Sequence, residues 1–520
     1  MYPAQQAAAD PTHPAFIMAD TGETVSYSEL DQRSNRLAHL LRAQGLQRLD
    51  HYAIFMENNN RYVECCAAGH RSGLYYTCIN SFLTAEELSY ILVNSESQVL
   101  ITSRDRLEVA AQALESCPRV RLCLVVNNST VAPMAGSLFA DYASSIQVYP
   151  DSAVHDEGLG TSMLYSSGTT GRPKGVLRPL PAEPPTAELP VFAFLNKLWQ
   201  YRAGMIYLSP APLYHSAPQA AVALAIRNGG TVVIMEHFDP ETYLALIEKY
   251  RVTHSQLVPT MFNRMLKLPM DVRTKYDLSS LEIAVHAAAP CPAQIKEQMI
   301  AWWGPIIHEY YGATEAMGFT ACNSAEWLAH RGTVGKVMMG DLHILDEQMQ
   351  PAAKGVPGEI WFKTASPFVY FNDAERTALT RSKDGTMTTV GDVGYVDDDG
   401  FLHLTDRSTF MIISGGVNIY PQECENLLIV HPKVADAAVF GVPNDDLGEE
   451  VKAVVQLIPG EHESPALEAE LIAYCQTHLA KLKCHRTIDF DAALPRLPTG
   501  KLYKKPLRDR YWAGRASRIV

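Results

Sequence analysis

Two spacings of apolar residues alternate along the first 310 positions of the chain. Four leucines between residues 30 and 41 recur at helical spacing, with Ser28 as the expected N-cap and Gly45 as the expected end. The capping-box pattern TAEE at residues 84–87 predicts a second helix running to about Val93. Runs rich in β-branched residues lie between helices, at residues 99–103, 119–126, 231–235 and 281–287. Strands separated by helices predict a mostly parallel sheet covered by helices.

The pattern changes after residue 330. Residues 341–346, 358–364 and 401–406 read as short alternating strands separated by Gly, Pro and Asp, which is typical of a small antiparallel unit. A last section is predicted to hold strands at 437–442 and 451–458 and a helix at 465–479. We therefore expect an α/β protein with an N-terminal domain over residues 1–405, a hinge at 406–410 and a C-terminal domain over 411–520.

Composition narrows the classes of protein that the chain can belong to. Its 520 residues exceed what one hydrophobic core usually serves, and 47% apolar with 19% charged residues is an ordinary globular balance. The formal net charge of −13 argues against nucleic acid as the main partner. The ten cysteines include no CxxC pair and no zinc-type spacing, which favours a reducing compartment. Without a recognisable signal peptide or an apolar run of about 20 residues, we expect a cytoplasmic protein with no integral membrane association.

The densest chemical signal is the sequence YSSGTTGRPKG at residues 165–175. Three glycines and four hydroxyl side chains stand beside two cations, Arg172 and Lys174. Glycine lets backbone N–H groups approach phosphate oxygens, and hydroxyls add donors. The spacing is not that of a Walker A motif, because Pro173 stands where that motif needs glycine. The segment is therefore interpreted as a triphosphate-binding loop of another type.

This block closely resembles the phosphate-loop signature of the adenylate-forming superfamily, which includes acyl-CoA synthetases, adenylation domains of peptide synthetases and firefly luciferase. Four further blocks resemble its other signatures in the same order: YGATE at 311–315, GD at 391–392 with GYVDDDGFLHLTDR at 394–407, GGVNIYPQE at 415–423, and PTGK at 498–501. The resemblance spans residues 25–508 and is strongest to the acyl-CoA synthetases. It implies a β-barrel-like subdomain in the N-terminal domain and a small, mobile α+β C-terminal domain.

The resemblance also implies a nucleotide site. The β- and γ-phosphates of ATP would be held by Thr169, Thr170, Gly171 and Lys174, and the nucleotide-binding loop also includes Ser166, Ser167 and Gly168. Thr314 would contact the α-phosphate, and Glu315 would bind Mg²⁺, which prefers hard oxygen ligands. Asp392 would accept hydrogen bonds from both ribose hydroxyls, with Arg407 near the ribose and phosphate. The adenine would lie between Tyr311, followed by Gly312, and the segment Ala288, Ala289 and Pro290.

A second group of residues is implied for the two half-reactions. Lys501 would bridge the substrate carboxylate and the α-phosphate, and His215 would lie near the acyl carbonyl. After adenylation the C-terminal domain would rotate about Phe410, where relatives usually have Asp or Lys. Gly415 and Gly416 would then border the tunnel for the pantetheine arm of coenzyme A, and Lys483 and Arg486 would meet its phosphates. Of the other cations near Lys501, most are expected to form a solvated basic tail: Arg496, Lys504, Lys505, Arg508 and Arg510.

The class of acid that the chain activates is inferred from the absence of one aspartate. Amino-acid-activating relatives carry an aspartate in the segment held here by residues 214–218 (YHSAP), and this chain has none. The expected pocket segments, 213–225, 257–261 and 285–289, are apolar. We therefore expect a hydrophobic acid, whether aryl, medium or long acyl, or a fused-ring carboxylate. Loading of a separate carrier protein, a luciferase-type oxygenase and a non-catalytic nucleotide-binding protein remain open alternatives, and a homodimer is compatible with the resemblance.

Overall fold

The structure is a computed structural model that describes residues 1–127, 138–166, 173–363, 368–407, 410–414, 417–444, 447–496 and 502–513, apart from the side chains at 406, 407 and 418. The chain forms two compact units. Unit 1 comprises Met1–Gln256, Leu268–Ala284 and Phe368–Ala378, and unit 2 comprises Leu257–Lys267, Val285–Pro367 and Leu379–Val520.

The α-helices of the described residues are α1 (Ala4–Ala9), α2 (Tyr27–Ala43), α3 (Tyr62–Arg71), α4 (Ala85–Asn94), α5 (Leu107–Leu114), α6 (Tyr142–Gln147), α7 (Pro190–Trp199), α8 (Ser216–Arg227), α9 (Pro240–Tyr250), α10 (Pro259–Leu266), α11 (Met270–Arg273), α12 (Ala293–Trp303), α13 (Ser324–Ala329), α14 (Ala374–Ala378), α15 (Pro421–Val430), α16 (Pro465–His478) and α17 (Lys504–Trp512).

The strands are β1 (Pro14–Met18), β2 (Thr24–Ser26), β3 (His51–Phe55), β4 (Tyr75–Ile79), β5 (Val99–Ser103), β6 (Leu122–Val126), β7 (Phe139–Asp141), β8 (Thr161–Ser162), β9 (Leu164–Ser166), β10 (Lys174–Leu177), β11 (Ile206–Ser209), β12 (Thr231–Ile234), β13 (His254–Leu257), β14 (Ile283–His286), β15 (Ile307–Gly312), β16 (Phe319–Cys322), β17 (Lys336–Met339), β18 (Asp341–Leu345), β19 (Gly358–Lys363), β20 (Val369–Tyr370), β21 (Met387–Thr388), β22 (Asp392–Val396), β23 (Leu402–Arg407), β24 (Ile412–Ser414), β25 (Val417–Ile419), β26 (Val434–Asn444), β27 (Gly448–Leu457) and β28 (Thr487–Phe490).

Unit 1 contains the helix-covered parallel sheets that the alternating pattern predicts. One sheet has the order β7-β6-β5-β3-β4-β8, with every neighbouring pair parallel. In a second sheet the pairs β13–β11, β11–β12 and β12–β1 are parallel, whereas β2 at one edge is antiparallel to β1. Buried apolar strand residues such as Phe55 and Leu100 share a core with Leu88 of α4 and Ala113 of α5. The predicted mixed α/β class is confirmed.

The predicted N-cap is confirmed for helix α4 and is wrong by two residues for helix α2. The capping box at Thr84 and Glu87 forms as predicted, with Glu87 N–H donating to the Thr84 hydroxyl. The expected cap at Ser28 is wrong, because Ser26 caps α2 and forms the reciprocal box with Glu29. Two serines lie near the start of this helix, and Ser26 is the one with a Glu three residues later. The side chains of Ser26 and Glu29 together satisfy two backbone donors, which stabilises the earlier start.

Unit 2 contains the antiparallel strands predicted after residue 330. Strands β18, β19, β22 and β23 form one antiparallel sheet, with β21 against β19. A second sheet pairs β26 with β27 over nearly their whole length, and β28 lies parallel to β27. Helices α15 and α16 pack on the second sheet through Leu428, Leu467 and Leu471. The strands and helix predicted for this last section are confirmed.

The basic stretch near the C-terminus is not the solvated tail that its sequence suggests. Lys504 and Arg508 on α17 are buried, and the Lys504 ammonium lies 2.7 Å from a carboxylate oxygen of buried Glu425. Arg496 pairs with Asp436. The expectation was wrong for these three cations, because residues distant in sequence supply their partners, whereas Lys505 and Arg510 form exposed ion pairs.

Two cysteines and a histidine meet in the core of the last section although no metal-type spacing links them. Cys424 Sγ lies 3.1 Å from His485 Nδ1 and 4.0 Å from Cys475 Sγ, and all three side chains are buried. The neighbouring Cys475 and burial raise the pKa of the Cys424 thiol well above its ordinary value. In its protonated form the thiol can donate a hydrogen bond to the imidazole.

None of the helices in the described part of the chain has the length and apolar character needed to cross a membrane.

Candidate active site

Strand β15 and strand β22 bring together two of the predicted nucleotide-binding residues. The hydroxyl of Tyr311 donates a hydrogen bond of 2.7 Å to Oδ2 of Asp392. Asp392 is buried, with 8% of its surface exposed. On the partner strand β23 the backbone of Arg407 lies directly opposite Asp392, while its side chain is outside the described residues. A carboxylate oriented in this way is a suitable acceptor for a vicinal diol.

The turn after β15 positions the acidic residue that is expected to bind Mg²⁺. Thr314 is half-buried and Glu315 is only 7% exposed. Ala316 follows with φ of +53°, and its N–H donates to the carbonyl of Ala313 at 2.9 Å. Left-handed backbone is unfavourable for alanine and persists only where the surroundings impose it. The turn therefore has a defined shape that directs the Glu315 carboxylate, a hard oxygen donor that suits Mg²⁺.

The expected adenine-binding segment follows β14 in the same unit. Ala288 has φ of +75° and is exposed, as is Pro290, while Ala289 is half-buried. The strand before it ends in buried His286. Small exposed side chains on a strained turn leave open backbone beside which a flat base can lie. The structure thus places 288–290 at the end of one strand and Tyr311 at the end of another.

Unit 1 holds the described part of the phosphate loop. Ser166 at the end of β9 and Lys174 at the start of β10 lie directly opposite each other in an antiparallel pair. The Lys174 ammonium lies 4.7 Å from the ring centroid of Tyr370, a cation–π contact that the sequence did not indicate. A Cβ on Gly175 would approach the Tyr165 ring to 2.9 Å, so any larger residue here would have to displace that ring. The pair of strands thus places a hydroxyl and an ammonium at the two ends of the loop.

The remaining loop residues, Ser167, Gly168, Thr169, Thr170 and Gly171, lie outside the described residues.

His215 precedes α8 in unit 1 and packs edge-on against Tyr214, with ring centroids 4.4 Å apart. Its Nε2 is enclosed and has no hydrogen-bond partner among the described residues. Burial lowers the pKa of His215 to about 3, so the imidazole is neutral at neutral pH. It can offer a substrate one donor or one acceptor but no positive charge. Flanking residues Leu213, Val222 and Leu224 are buried, which agrees with an apolar surrounding.

The residues expected to act in the second half-reaction are only partly described. Lys483 pairs with Glu423 at 2.7 Å, and Arg486 lies 3.8 Å from Glu450. A role toward coenzyme A phosphates would require each cation to exchange its carboxylate for a phosphate, and this role stays a prediction. Gly415, Gly416 and Lys501 lie outside the described residues.

Phe410, the expected hinge residue, is half-buried against two cations of α17. The Lys504 ammonium lies 5.3 Å and the Arg508 guanidinium 5.9 Å from the centroid of its ring. Local sequence gave no signal of this contact, because α17 begins more than ninety positions later. The aromatic side chain at this position therefore has specific partners within unit 2.

Comparison with known proteins identifies the class that this site defines. A family model described as AMP-binding enzyme matches residues 3–369, and one described as AMP-binding enzyme C-terminal domain matches residues 423–501. The chain therefore belongs to the AMP-binding enzymes, the adenylate-forming superfamily, and is an AMP-forming acid–thiol ligase.

Among its relatives, a fatty acid–[acyl-carrier-protein] ligase, ScoC, from Streptomyces coeruleorubidus is 31% identical over 98% of this chain and 96% of the relative. The 3-[(3aS,4S,7aS)-7a-methyl-1,5-dioxo-octahydro-1H-inden-4-yl]propanoyl:CoA ligase of Mycobacterium tuberculosis is 33% identical over 96% of each chain. The crystal structure of ATP-bound MatB from Rhodopseudomonas palustris superposes with a TM-score of 0.81 at 27% identity, covering 99% of both chains.

Proposed function

We propose that the chain is an ATP-dependent acyl-CoA synthetase. It converts a hydrophobic carboxylic acid into an acyl adenylate with release of pyrophosphate, and then into the coenzyme A thioester with release of AMP. The observation that carries the adenylation half is the Tyr311–Asp392 hydrogen bond, which orients a carboxylate for a ribose beside the turn that holds Glu315. Membership of the AMP-binding enzymes supports the nucleotide assignment.

The proposed first step is attack of the substrate carboxylate on the α-phosphate. Negative charge then builds on that phosphate and on the departing pyrophosphate, so cations and hydrogen-bond donors contribute most to catalysis. Lys174 would stabilise the leaving pyrophosphate, Thr314 would donate to the α-phosphate, and Lys501 would bridge the two reacting groups. Glu315 would hold Mg²⁺, which supplies positive charge to the phosphate oxygens when it is bound.

The acid is proposed to be hydrophobic. The segment around His215 carries no carboxylate that could pair with an ammonium group, and burial keeps the imidazole neutral. Relatives that act on a fatty acid and on a fused-ring propanoate support this class of substrate.

A second candidate acceptor is a carrier protein, because the 31% identical relative is a ligase of that type. Several other relatives are coenzyme A ligases, among them the 33% identical one from Mycobacterium tuberculosis. We therefore favour free coenzyme A. The test is a panel of fatty, aryl and fused-ring acids with ATP and Mg²⁺, offered coenzyme A or a phosphopantetheinylated carrier protein, with the thioester read by mass. Thioester on coenzyme A alone is expected, and thioester on the carrier alone would replace the proposal by the second candidate.

A further inference from the structure

Three buried polar side chains in unit 2 lie behind the expected adenine site. Lys296 on α12 is fully buried, and its ammonium donates a hydrogen bond to Oε2 of buried Glu309 on β15. His286, the last residue of β14, places Nε2 3.4 Å from the same carboxylate oxygen. The Lys296 ammonium also lies 4.8 Å from the ring centroid of buried Trp327. None of these side chains has a part in the reaction described above.

The charges of this cluster are confined to the Lys296–Glu309 pair. Burial, together with the Lys296 cation, lowers the pKa of His286 well below its ordinary value, so the imidazole is neutral. Burial raises the pKa of Glu309, and the Lys296 ammonium opposes this shift. Nearby Cys322 is a neutral thiol, because burial raises its pKa to about 12. A buried ion pair stabilises a fold weakly, but it can fix the relative position of the elements that carry it.

The positions of the three residues relate them to the nucleotide site. Glu309 precedes Tyr311 by two residues on β15, so both side chains leave the strand on the same face. His286 precedes Ala288 by two residues at the end of β14. One carboxylate oxygen of Glu309, on β15, thus faces His286 at the end of β14 and Lys296 on α12. The cluster links the two strands that lead into the expected adenine-binding segments.

We propose that Lys296, Glu309 and His286 are positioning residues for ATP: they fix the ends of β14 and β15 so that residues 288–290 and Tyr311 take up the spacing that an adenine requires. This inference rests on the proposed function. The left-handed backbone at Ala288 and Ala316 supports it, because strained turns keep their shape only where the surrounding structure determines it. A purely structural role would affect stability without favouring one substrate over the other.

An apolar replacement of similar volume distinguishes an effect on the ATP site from an effect on the stability of the fold. The double variant Lys296→Met with Glu309→Leu removes both charges, and such exchanges of a buried pair often leave stability nearly unchanged. Its thermal unfolding is expected to stay near that of the wild type. Its KM for ATP in pyrophosphate exchange is expected to rise at least about 10-fold, the order of effect that a small misplacement of a binding group produces. The KM for the acid is expected to stay within about 2-fold.

Two further variants complete the test. Glu309→Gln keeps the shape of the side chain, and its KM values are measured in place of those of the double variant if the double variant does not fold. Its KM for ATP is also expected to rise while its KM for the acid does not. The control replaces an exposed ion pair, Lys275 and Glu241, by Met and Leu and is expected to change neither KM.

The outcomes distinguish this inference from the proposed function. A folded double variant or Glu309→Gln with an unchanged KM for ATP, or with equal rises for ATP and acid, overturns the positioning role alone. A wild-type chain that neither binds ATP, measured by calorimetry, nor exchanges pyrophosphate overturns the proposed function and this inference together.

Discussion

The phenolic hydroxyl of Tyr311 and Oδ2 of Asp392 are joined by a 2.7 Å hydrogen bond across 81 positions of sequence. It connects the second and third of the five motifs that resemble those of the superfamily. The bond allows the two assigned roles to be separated, because the Tyr311 ring would contact the base and the Asp392 carboxylate the ribose.

Asp392→Asn should raise the KM for ATP by about 10- to 100-fold, since hydrogen bonds to a charged group contribute roughly 1.5–3 kcal/mol. Tyr311→Phe is the matched variant, because it keeps the ring and removes only the hydroxyl that orients the carboxylate. Its KM for ATP should rise by only a few-fold, because the Asp392 carboxylate remains and loses only one of the contacts that orient it. Steady-state pyrophosphate exchange measures both, and a larger effect of Tyr311→Phe than of Asp392→Asn would contradict the assignment.

His215 gives a pH-dependent prediction. Its pKa falls from an ordinary 6.5 to about 3 in the folded chain because of burial. Above pH 6.5 neither the folded nor the unfolded state binds the proton; as the pH falls below 6.5 only the unfolded state does, so stability is lost with falling pH down to about 3. His215→Phe should therefore lose less unfolding free energy than the wild type between pH 7 and about 5, by at most about 2 kcal/mol.

The comparison is made by urea denaturation, with the exposed His155→Gln as control. The control should follow the wild-type pH dependence. Equal acid sensitivity of His215→Phe and the wild type would mean that His215 is protonated in the folded chain near neutral pH.

Phe410 gives a prediction about the balance of the two half-reactions. Its ring lies against Lys504 and Arg508, and each cation–π contact contributes about 0.5–2 kcal/mol to the arrangement that contains it. Phe410→Leu removes these contacts and Phe410→Asp replaces them by charge attraction, so both should alter the ratio of adenylation to thioester formation. Phe410→Pro, which fixes φ, should impair one half-reaction much more than the other. Unchanged rates in Phe410→Asp and Phe410→Pro would place the pivot elsewhere.

Substitution of Lys501 is expected to affect adenylation and thioester formation very differently. Lys501→Ala should reduce adenylation by about 10²–10³-fold, the scale for losing one charge contact to a transition state. It should largely spare thioester formation from presynthesised acyl adenylate, which would use the other domain orientation. Lys505→Ala is the matched control, since this cation pairs with Asp509 on α17. Equal losses in both half-reactions would count against the role of Lys501.

Sequence patterns predicted the parts of this molecule that depend on neighbouring residues. The capping box at Thr84 forms, and buried strand runs such as Val99–Ser103 lie where their composition places them. The N-cap of α2 is Ser26 and not the predicted Ser28, because Glu29 forms a capping box with the earlier of the two serines. The resemblance of the motifs likewise predicted that Tyr311 and Asp392 belong to one nucleotide site.

The patterns failed where distant residues meet. Nothing near Lys504 indicates that Glu425 accepts its charge in the core, so a composition rich in cations resembled a solvated tail. In the same way Lys296 and Glu309 look like ordinary surface residues of a helix and a strand until α12 packs on β15. Burial and ion pairing depend on tertiary packing, which the local periodicity does not encode.

Acid-dependent exchange of labelled pyrophosphate into ATP, followed by addition of coenzyme A, shows directly whether the enzyme adenylates an acid before it forms the thioester. With a suitable hydrophobic acid we expect exchange in the absence of coenzyme A, and AMP together with the thioester once it is added. Exchange that proceeds equally well without any acid, or ADP in place of AMP as the product, would contradict the account.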